Sequence, residues 1–252
     1  GRVLTKIAAD RVHLITVRDE NSRKLLENLG VARPEIKVVS DPVMALAPAP
    51  RDRQKGLELL THLGMEKALG SESSIIGVSV RSWPGSQVFM EGLAALCDDL
   101  ARQGWQILFT PMHFPEDLKI SENIAGMMEN ESYILDREID LPLLLGVMSN
   151  LEFLMGMRLH SLVFAAVSGT PSIGISYDPK IDSFVEQIGQ FNGGRVEDLD
   201  YRKFRDMVFS ALDNLPQSRQ TLLERVPILR NTALGAASLA MNLAGGRNRK
   251  IK

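Results

Sequence analysis

Short apolar runs alternate with segments of helical periodicity through the middle of the chain. Residues 74–80 (SIIGVSV) are rich in β-branched side chains, as buried parallel strands are. Apolar residues then recur at helical spacing from Phe89 to Leu100, which predicts an amphipathic helix over residues 88–103. Gly104 is a suitable end for that helix, and a second strand is predicted at residues 106–110.

The alternation continues toward the C-terminus. The pattern predicts a helix at 116–129, a strand at 133–135, a helix at 141–148, a strand at 151–155, a helix at 159–168, a strand at 171–177 and a helix at 180–188. Strands that alternate with helices of this length indicate βαβ units, a parallel sheet and right-handed crossovers. The expected fold class is therefore α/β, with a Rossmann-like parallel sheet flanked by helices.

The two ends of the chain have a different organisation. Before residue 48 the pattern predicts a strand at 12–17, a helix at 19–29 and a strand at 36–39. A small, proline-rich stretch at 45–51 is typical of a linker, and a polar helix at 54–63 follows it. Beyond residue 200 we expect helices over 200–214 and 217–243, with Pro227 as a kink or a break.

Composition and charge narrow the class of protein. The 252 residues are 44% hydrophobic and carry a formal net charge of −2, which argues against a general nucleic-acid binder. The single cysteine, Cys97, excludes an internal disulfide framework and a cysteine-based zinc site, and the four histidines have no recognisable metal spacing. No apolar run approaches the ~20 residues of a membrane span, and no signal peptide is recognisable. We expect a cytoplasmic globular protein without a metal or resident cofactor.

Charged and imidazole side chains follow four of the predicted strands. They are Arg81, then His113 and Asp117, then Arg158 and His160, and finally Asp178 and Lys180. Each alone has an ordinary explanation, such as a surface ion pair, a loop hydrogen bond, a first-turn acid or a turn initiator. Ligands of open parallel sheets nevertheless bind beyond the carboxyl ends of the strands, where all of these residues fall.

Arg158 and His160 are the least ordinary of the set. They stand between an apolar strand and an apolar helix, where a glycine or a small capping residue would serve a structural junction better. A helix N-terminus already favours anions through its free N–H groups and its dipole. The two residues therefore predict a phosphate or carboxylate site. A P-loop and the glycine spacing of a dinucleotide site are both absent from the sequence.

Residues 157–184 (MRLHSLVFAAVSGTPSIGISYDPKIDSF) carry a specific resemblance. They resemble the polysaccharide pyruvyl transferase family, and most closely the bacterial enzymes that pyruvylate cell-wall polysaccharide for S-layer anchoring. Supporting segments follow in the family's order, at residues 15–31, 40–42, 77–83 and 110–118.

The resemblance implies a two-lobed architecture similar to GT-B glycosyltransferases. It also implies transfer of pyruvate from phosphoenolpyruvate to two hydroxyls of a sugar, giving a cyclic ketal and phosphate. The implied acceptor is the N-acetylmannosamine of a lipid-linked precursor. The resemblance assigns Arg158, Leu159 and His160 to phosphoenolpyruvate binding, with Arg81 as a weaker match. His160 is the expected general acid.

The other polar residues at the strand ends receive secondary roles. His113, Asp117, Asp178 and Lys180 are candidates for acceptor bases, phosphate contacts or supporting residues. Family members have a complete N-terminal lobe, of which residues 1–48 match only the last portion. We therefore expect a remnant of that lobe at 1–48, a donor-binding lobe at 49–215, and a C-terminal helix with a basic tail at 216–252.

The last forty residues contain seven basic side chains against two acidic ones. This composition fits a solvated helix and tail, or a peripheral contact with anionic lipid at the inner face of the membrane. Two other functions stay open at this point. One is a GT-B-type glycosyltransferase or sugar-nucleotide epimerase, although no acidic residue for a ribose diol is recognisable. The other is a non-catalytic module that binds an anion or a sugar.

Overall fold

The computed structural model describes residues 1–65, 74–84 and 87–248, with side chains described as far as residue 245. The chain forms two compact units. The first contains Gly1–Leu46 and the segment from Val226 onward, and the second is Ala47–Arg225.

The first unit contains a two-stranded parallel sheet. Its elements are α1 (Arg2–Ala9), β1 (Leu14–Val17), α2 (Glu20–Asn28), β2 (Glu35–Val38), a 3-10 turn (Pro42–Ala45) and the later part of α10 (Leu215–Asn248). Asp19 caps α2, because its carboxylate accepts the Ser22 N–H. The predicted strands and α2 are confirmed within two residues, whereas α1 was not predicted.

The second unit is built on a six-stranded, entirely parallel sheet. The strands are β3 (Ile75–Ser79), β4 (Gln106–Phe109), β5 (Tyr133–Ile134), β6 (Phe153–Gly156), β7 (Ser172–Ser176) and β8 (Phe191–Arg195). The helices are α3 (Pro50–His62), α4 (Gln87–Arg102), α5 (Glu116–Ala125), α6 (Leu141–Met148), α7 (Leu159–Val167), α8 (Pro179–Ile188), α9 (Tyr201–Asp213) and the start of α10.

Both faces of this sheet are covered. On one face, Ile76, Val78 and Val80 join a core with apolar residues of α4, α5 and α9. On the other face, glycines occupy the positions at which side chains pack closest to the sheet. A Cβ on Gly77, for example, would lie 2.6 Å from Leu151 Cδ1. The strands are therefore buried on both sides, which explains their continuous apolar runs.

The strand order fixes where a ligand can bind. The order is β5-β4-β3-β6-β7-β8, so the chain builds outward from β3 in one direction and then returns to build outward from β6 in the other. The carboxyl ends of β3 and β6 therefore flank the point at which the strand order reverses, and a crevice opens at that point in folds of this kind.

The α/β fold class with a parallel sheet is confirmed, but several boundaries were wrong. The helix predicted to reach residue 129 ends at Ala125, because the buried Asp98 carboxylate accepts the Glu129 and Asn130 N–H groups and holds them outside the helix. The helix predicted from residue 54 begins at Pro50, since proline suits a first helical position.

Two further differences concern the C-terminal third. β8 was not predicted, because its sequence FNGGR lacks the β-branched residues that mark a strand. The chain does not break at Pro227, since α10 continues through it. A proline removes one helical hydrogen bond, which a 34-residue helix can lose without ending.

Candidate anion site

Two arginines lie at equivalent positions beside the reversal of strand order. Arg81 is the second residue after β3, and Arg158 is the second residue after β6. The strands are paired through Ser79 and Gly156, and the Met157 N–H donates to the Ser79 carbonyl at 2.8 Å. The sheet therefore presents both arginines at the same edge.

Arg158 is held by a buried carboxylate. Its Nε donates to Asp117 Oδ2 at 2.9 Å, and its Nη2 donates to Asp117 Oδ1 at 2.5 Å. The Asp117 side chain is completely buried, while that of Arg158 is 23% exposed. Asp117 Oδ2 also accepts the N–H groups of Met112 at 3.3 Å and His113 at 3.1 Å. One carboxylate thus joins Arg158 to the loop that follows β4.

The hydrogen bonding of Arg158 to the Asp117 carboxylate is the main reason that the pKa of Arg158 is raised. Burial opposes the rise. The charges of Asp117, Tyr177 and Glu116 raise the pKa by smaller amounts. Arg158 is therefore a permanent cation. Its bidentate pairing uses Nε and one hydrogen of Nη2, so Nη1 and the second Nη2 hydrogen lie outside the pairing.

The N-terminus of α7 has no side-chain cap. Arg158 occupies its N-cap position, whereas the N-caps of α2, α6, α8 and α9 are aspartates whose carboxylates accept first-turn N–H groups. The Ser161 Oγ and N–H both donate to the Arg158 carbonyl, at 2.7 and 3.0 Å, which fixes this turn. The Leu159 and His160 amides precede these hydrogen bonds and lack intrahelical acceptors. An anion fits this end of the helix.

A second group of cations surrounds Tyr177, the residue after β7. Arg81 Cζ lies 4.4 Å from the centre of the Tyr177 ring, and Lys180 Nζ lies 5.3 Å from it. The Trp83 ring centre is 5.7 Å away. Arg81 Nε is buried and has no hydrogen-bond partner among the described residues. Because β7 pairs with β6, Tyr177 and its two cations lie at the same edge of the sheet as Arg158.

Tyr177 and Trp83 are site residues that the sequence reasoning missed. Tyr177 stands directly after a predicted strand, as the charged candidates do, but an aromatic residue there is ordinary core material. The signal that could have found Tyr177 is its place between Arg81 and Lys180 once the strands are aligned. That alignment requires the sheet order.

The side chains of the remaining predicted residues make local contacts, each with a residue two to four positions away. Asp178 caps α8 by accepting the Lys180 N–H at 3.0 Å, and its Oδ2 lies 3.3 Å from Lys180 Nζ. The His113 side chain is 64% exposed, with Nε2 3.3 Å from Glu116 Oε2. His160 is exposed in the first turn of α7, and its ring stacks on Phe164 with centres 6.1 Å apart.

Two cavities are lined by residues that neighbour the candidate site, although Arg81, Arg158 and Lys180 line neither of them. One of about 390 Å³ lies beside Trp83 and is also lined by Glu197 and Asp198. The other, of about 190 Å³, lies beside Met112 and is also lined by Arg137. Each cavity is linked to the candidate site through one residue, because Trp83 packs near Tyr177 and the Met112 N–H donates to Asp117.

Within residues 1–65, 74–84 and 87–248, no three His, Cys, Asp or Glu side chains are grouped as metal ligands would be. The described helices include none that is both long and apolar enough to cross a membrane. Most of the predicted basic tail lies outside the described residues.

With its parallel sheet and a candidate anion site at the carboxyl edge, the protein has a GT-B-like α/β fold. Residues 1–179 match the family model described as polysaccharide pyruvyl transferase. The chain belongs to that family. Among curated proteins, none matches it.

Solved structures show the same fold at low sequence identity. HepE of Anabaena with UDP is 15% identical, with a TM-score of 0.62 over 97% of this chain and 67% of its own. A glycosyltransferase of Rickettsia africae is 14% identical, with a TM-score of 0.58 over 92% of this chain and 66% of its own. The N-terminal domain of Candida albicans trehalose-6-phosphate phosphatase is 12% identical, with a TM-score of 0.56 over 91% and 58%. The chain thus spans about three-fifths to two-thirds of these structures.

Proposed function

We propose that the protein transfers pyruvate from phosphoenolpyruvate to a sugar diol, forming a cyclic ketal and releasing phosphate. The observation that carries the proposal is Arg158 at the uncapped N-terminus of α7, fixed by Asp117, with Arg81 and Lys180 on Tyr177 at the same edge of the sheet. Membership of the polysaccharide pyruvyl transferase family supports the reaction class.

The donor carries a carboxylate and a phosphate, and both require fixed hydrogen-bond donors. Arginine offers planar, bidentate contacts that match either group. In the proposed complex, the unpaired edge of Arg158 and the first-turn amides of Leu159 and His160 bind one end of phosphoenolpyruvate. Arg81 and Lys180, on either side of Tyr177, bind the other end.

The reaction then requires a proton donor. His160 protonates C3 of the enol, and C2 takes on oxocarbenium character as a sugar hydroxyl attacks it. This hydroxyl loses its proton, which restores the imidazolium. Loss of phosphate from C2 and attack by the second hydroxyl close the ketal, and the second hydroxyl proton leaves with phosphate. His113, Asp117, Asp178 and Lys180 were the sequence candidates for assisting groups, and Lys180 is the one we retain as a direct phosphate or carboxylate contact.

The proposed acceptor is the N-acetylmannosamine of a lipid-linked cell-wall precursor, in the cytoplasm or at the inner face of the membrane. We place the hydroxylated ring of the acceptor in the cavity beside Trp83, whose ring centre lies 5.7 Å from that of Tyr177. A basic tail beyond residue 246 would favour contact with anionic lipid during such a reaction.

Calorimetric titration with phosphoenolpyruvate tests this function, on the unaltered chain and on Arg158→Ala. Loss of a charge-assisted contact should weaken binding by roughly 10- to 150-fold. Arg205→Ala is the matched control. Arg205 pairs with Asp99 and stacks on Phe209, and neither partner belongs to the candidate site. It should leave binding unchanged. Binding of UDP-glucose without binding of phosphoenolpyruvate would instead favour a glycosyltransferase and overturn the proposal.

A further inference from the structure

We infer that Asp117 is a positioning residue that fixes the direction in which Arg158 presents its free hydrogen-bonding edge. The inference rests on the proposed function and goes beyond it, because it distinguishes the residue that contacts the donor, Arg158, from the residue that orients Arg158, Asp117. From the sequence, Asp117 was a candidate for an acceptor base, a phosphate contact or a supporting residue. The structure gives both of its oxygens to partners within the protein.

Asp117 is itself held in place by backbone groups. Its N–H donates to the His113 carbonyl at 2.8 Å, and its carbonyl accepts the Ser121 Oγ at 2.7 Å. Its carboxylate receives the Met112 and His113 amides from the same loop. The carboxylate is thus fixed at the start of α5 by contacts other than the one to Arg158, which lies 41 residues later in the chain.

The pairing restricts Arg158 in two ways. An arginine with one exposed edge normally samples several rotamers, and ordering it on binding costs conformational entropy. The side-on contact through Nε and Nη2 removes that freedom before any donor arrives. It also leaves only Nη1 and the outer Nη2 hydrogen for an anion, so the direction of approach is set.

Asp117 is poorly suited to contact the donor directly. A completely buried carboxylate that already accepts four hydrogen bonds has little capacity for a further partner. The donor is an anion, and a second anion beside it would repel it. The effect of Asp117 on donor binding must therefore pass through Arg158.

A double-mutant cycle separates positioning from a merely structural role. The variants are Asp117→Asn, Arg158→Ala and the double variant, and the measured quantity is the dissociation constant for phosphoenolpyruvate. We expect Asp117→Asn to weaken binding about tenfold when Arg158 is present and to have no further effect when Arg158 is alanine, since residues in one contact do not act additively. Equal weakening by Asp117→Asn in both backgrounds would overturn the inference.

Asp98→Asn is the matched control. Asp98 is also a buried acid whose carboxylate accepts backbone amides from a loop, but it lies on α4 and serves Glu129 and Asn130. This variant should lose stability and keep its donor affinity. If it weakens binding as much as Asp117→Asn does, the effect is one of general destabilisation and the inference fails.

A measurement without ligand keeps this inference distinct from the proposed function. The Nε–H of Arg158, bonded to Asp117, should give a slowly exchanging signal in nitrogen-detected NMR that Arg158→Lys removes and Asp117→Asn broadens. A signal unchanged in Asp117→Asn would overturn the positioning role. If the signal behaves as expected while Arg158→Ala leaves phosphoenolpyruvate binding intact, the positioning contact stands and the proposed function fails. Asp117→Glu serves in both assays if Asp117→Asn does not fold.

Discussion

Two buried aspartates organise loops in the second unit, and each accepts hydrogen bonds from backbone amides. Asp117 holds the turn after β4, and Asp98 holds the turn after α5. Burial alone would raise the pKa of Asp98, but the hydrogen bonds from Glu129 and Asn130 outweigh it and the pKa is lowered. A carboxylate satisfied in this way stabilises the folded state only while it is ionised.

Asp98→Asn should therefore destabilise the protein in a pH-dependent manner. We expect a loss of about 1–3 kcal/mol in the free energy of unfolding at pH 7, the usual cost of disrupting a buried hydrogen-bonded group. The folded-state pKa is depressed, so the carboxylate's contribution is complete above the unfolded value near 3.8 and is lost as the pH falls through the folded value.

Urea denaturation of both proteins at pH 7 and at pH 3 checks this prediction. The gap between them should narrow at the lower pH. Asp206→Asn is the control, because the Asp206 side chain is 78% exposed and its removal should change little. A gap that is the same at both pH values would contradict the explanation.

At the scale of the element, α3 and α6 pack with their backbones almost in contact. A Cβ on Gly146 would lie 1.9 Å from the Asp52 carbonyl oxygen, and one on Gly56 would lie 2.2 Å from the Gly146 carbonyl carbon. Backbone atoms cannot rotate away as a side chain can. Both positions therefore require glycine for lack of space.

Gly146→Ala tests this close packing. Alanine favours a helix over glycine by about 1 kcal/mol, but forcing the helices apart should cost more, so we expect a net loss of roughly 2 kcal/mol or more in the free energy of unfolding. Gly235→Ala in α10 is the matched control, since a Cβ there meets nothing within 4 Å. That change should stabilise slightly. Thermal or urea unfolding measures both, and equal effects of the two substitutions would refute the packing argument.

Sequence periodicity predicted elements well where the determining contacts are local. The apolar run of β3 and the helical spacing of α4 identify those elements without knowledge of their partners. The end of α5 could not be predicted, because it depends on Asp98, 31 residues earlier in the chain. β8 is a strand because it pairs with β7 at the sheet edge, and its own residues favour no such conformation.

The same distinction applies to the candidate site. Arg158 and His160 stand out locally, as basic residues between two apolar segments. The pairing of Arg158 with Asp117 spans 41 residues, and the approach of Arg81 to Tyr177 depends on the order β3-β6-β7. The sequence can therefore identify candidate residues, but their contacts depend on the order of the strands.

At the scale of the whole molecule, the side chains that can report unfolding, by fluorescence or by thiol labelling, are unevenly distributed between the two compact units. Both tryptophans, Trp83 and Trp105, lie in the second unit and pack against its core. The one thiol, Cys97, is fully buried in that same core. Burial raises the pKa of the Cys97 thiol, and the nearby charge of Asp98 acts in the same direction. The thiol should therefore be unreactive until this core opens.

We expect tryptophan fluorescence and Cys97 labelling to report one transition in urea. Both signals depend on the same core, so their midpoints should coincide if the second unit unfolds cooperatively. Pulse labelling with a thiol reagent, read by mass spectrometry, provides the comparison. Labelling of Cys97 well below the fluorescence midpoint would show that α4 opens separately from the rest of the sheet.

The pairing of Arg158 with Asp117 has a consequence for selectivity among the small anions of a cell. Because the buried carboxylate offsets the charge of the guanidinium, this part of the site offers oriented donors with little net attraction at a distance. Ionic strength should affect it less than it would affect a cluster of unpaired cations. Chloride, inorganic phosphate and nucleotides are abundant anions, yet negative charge alone is not enough for binding at such a site. A ligand must place its oxygens where these donors point, so the shape of the ligand determines whether it binds.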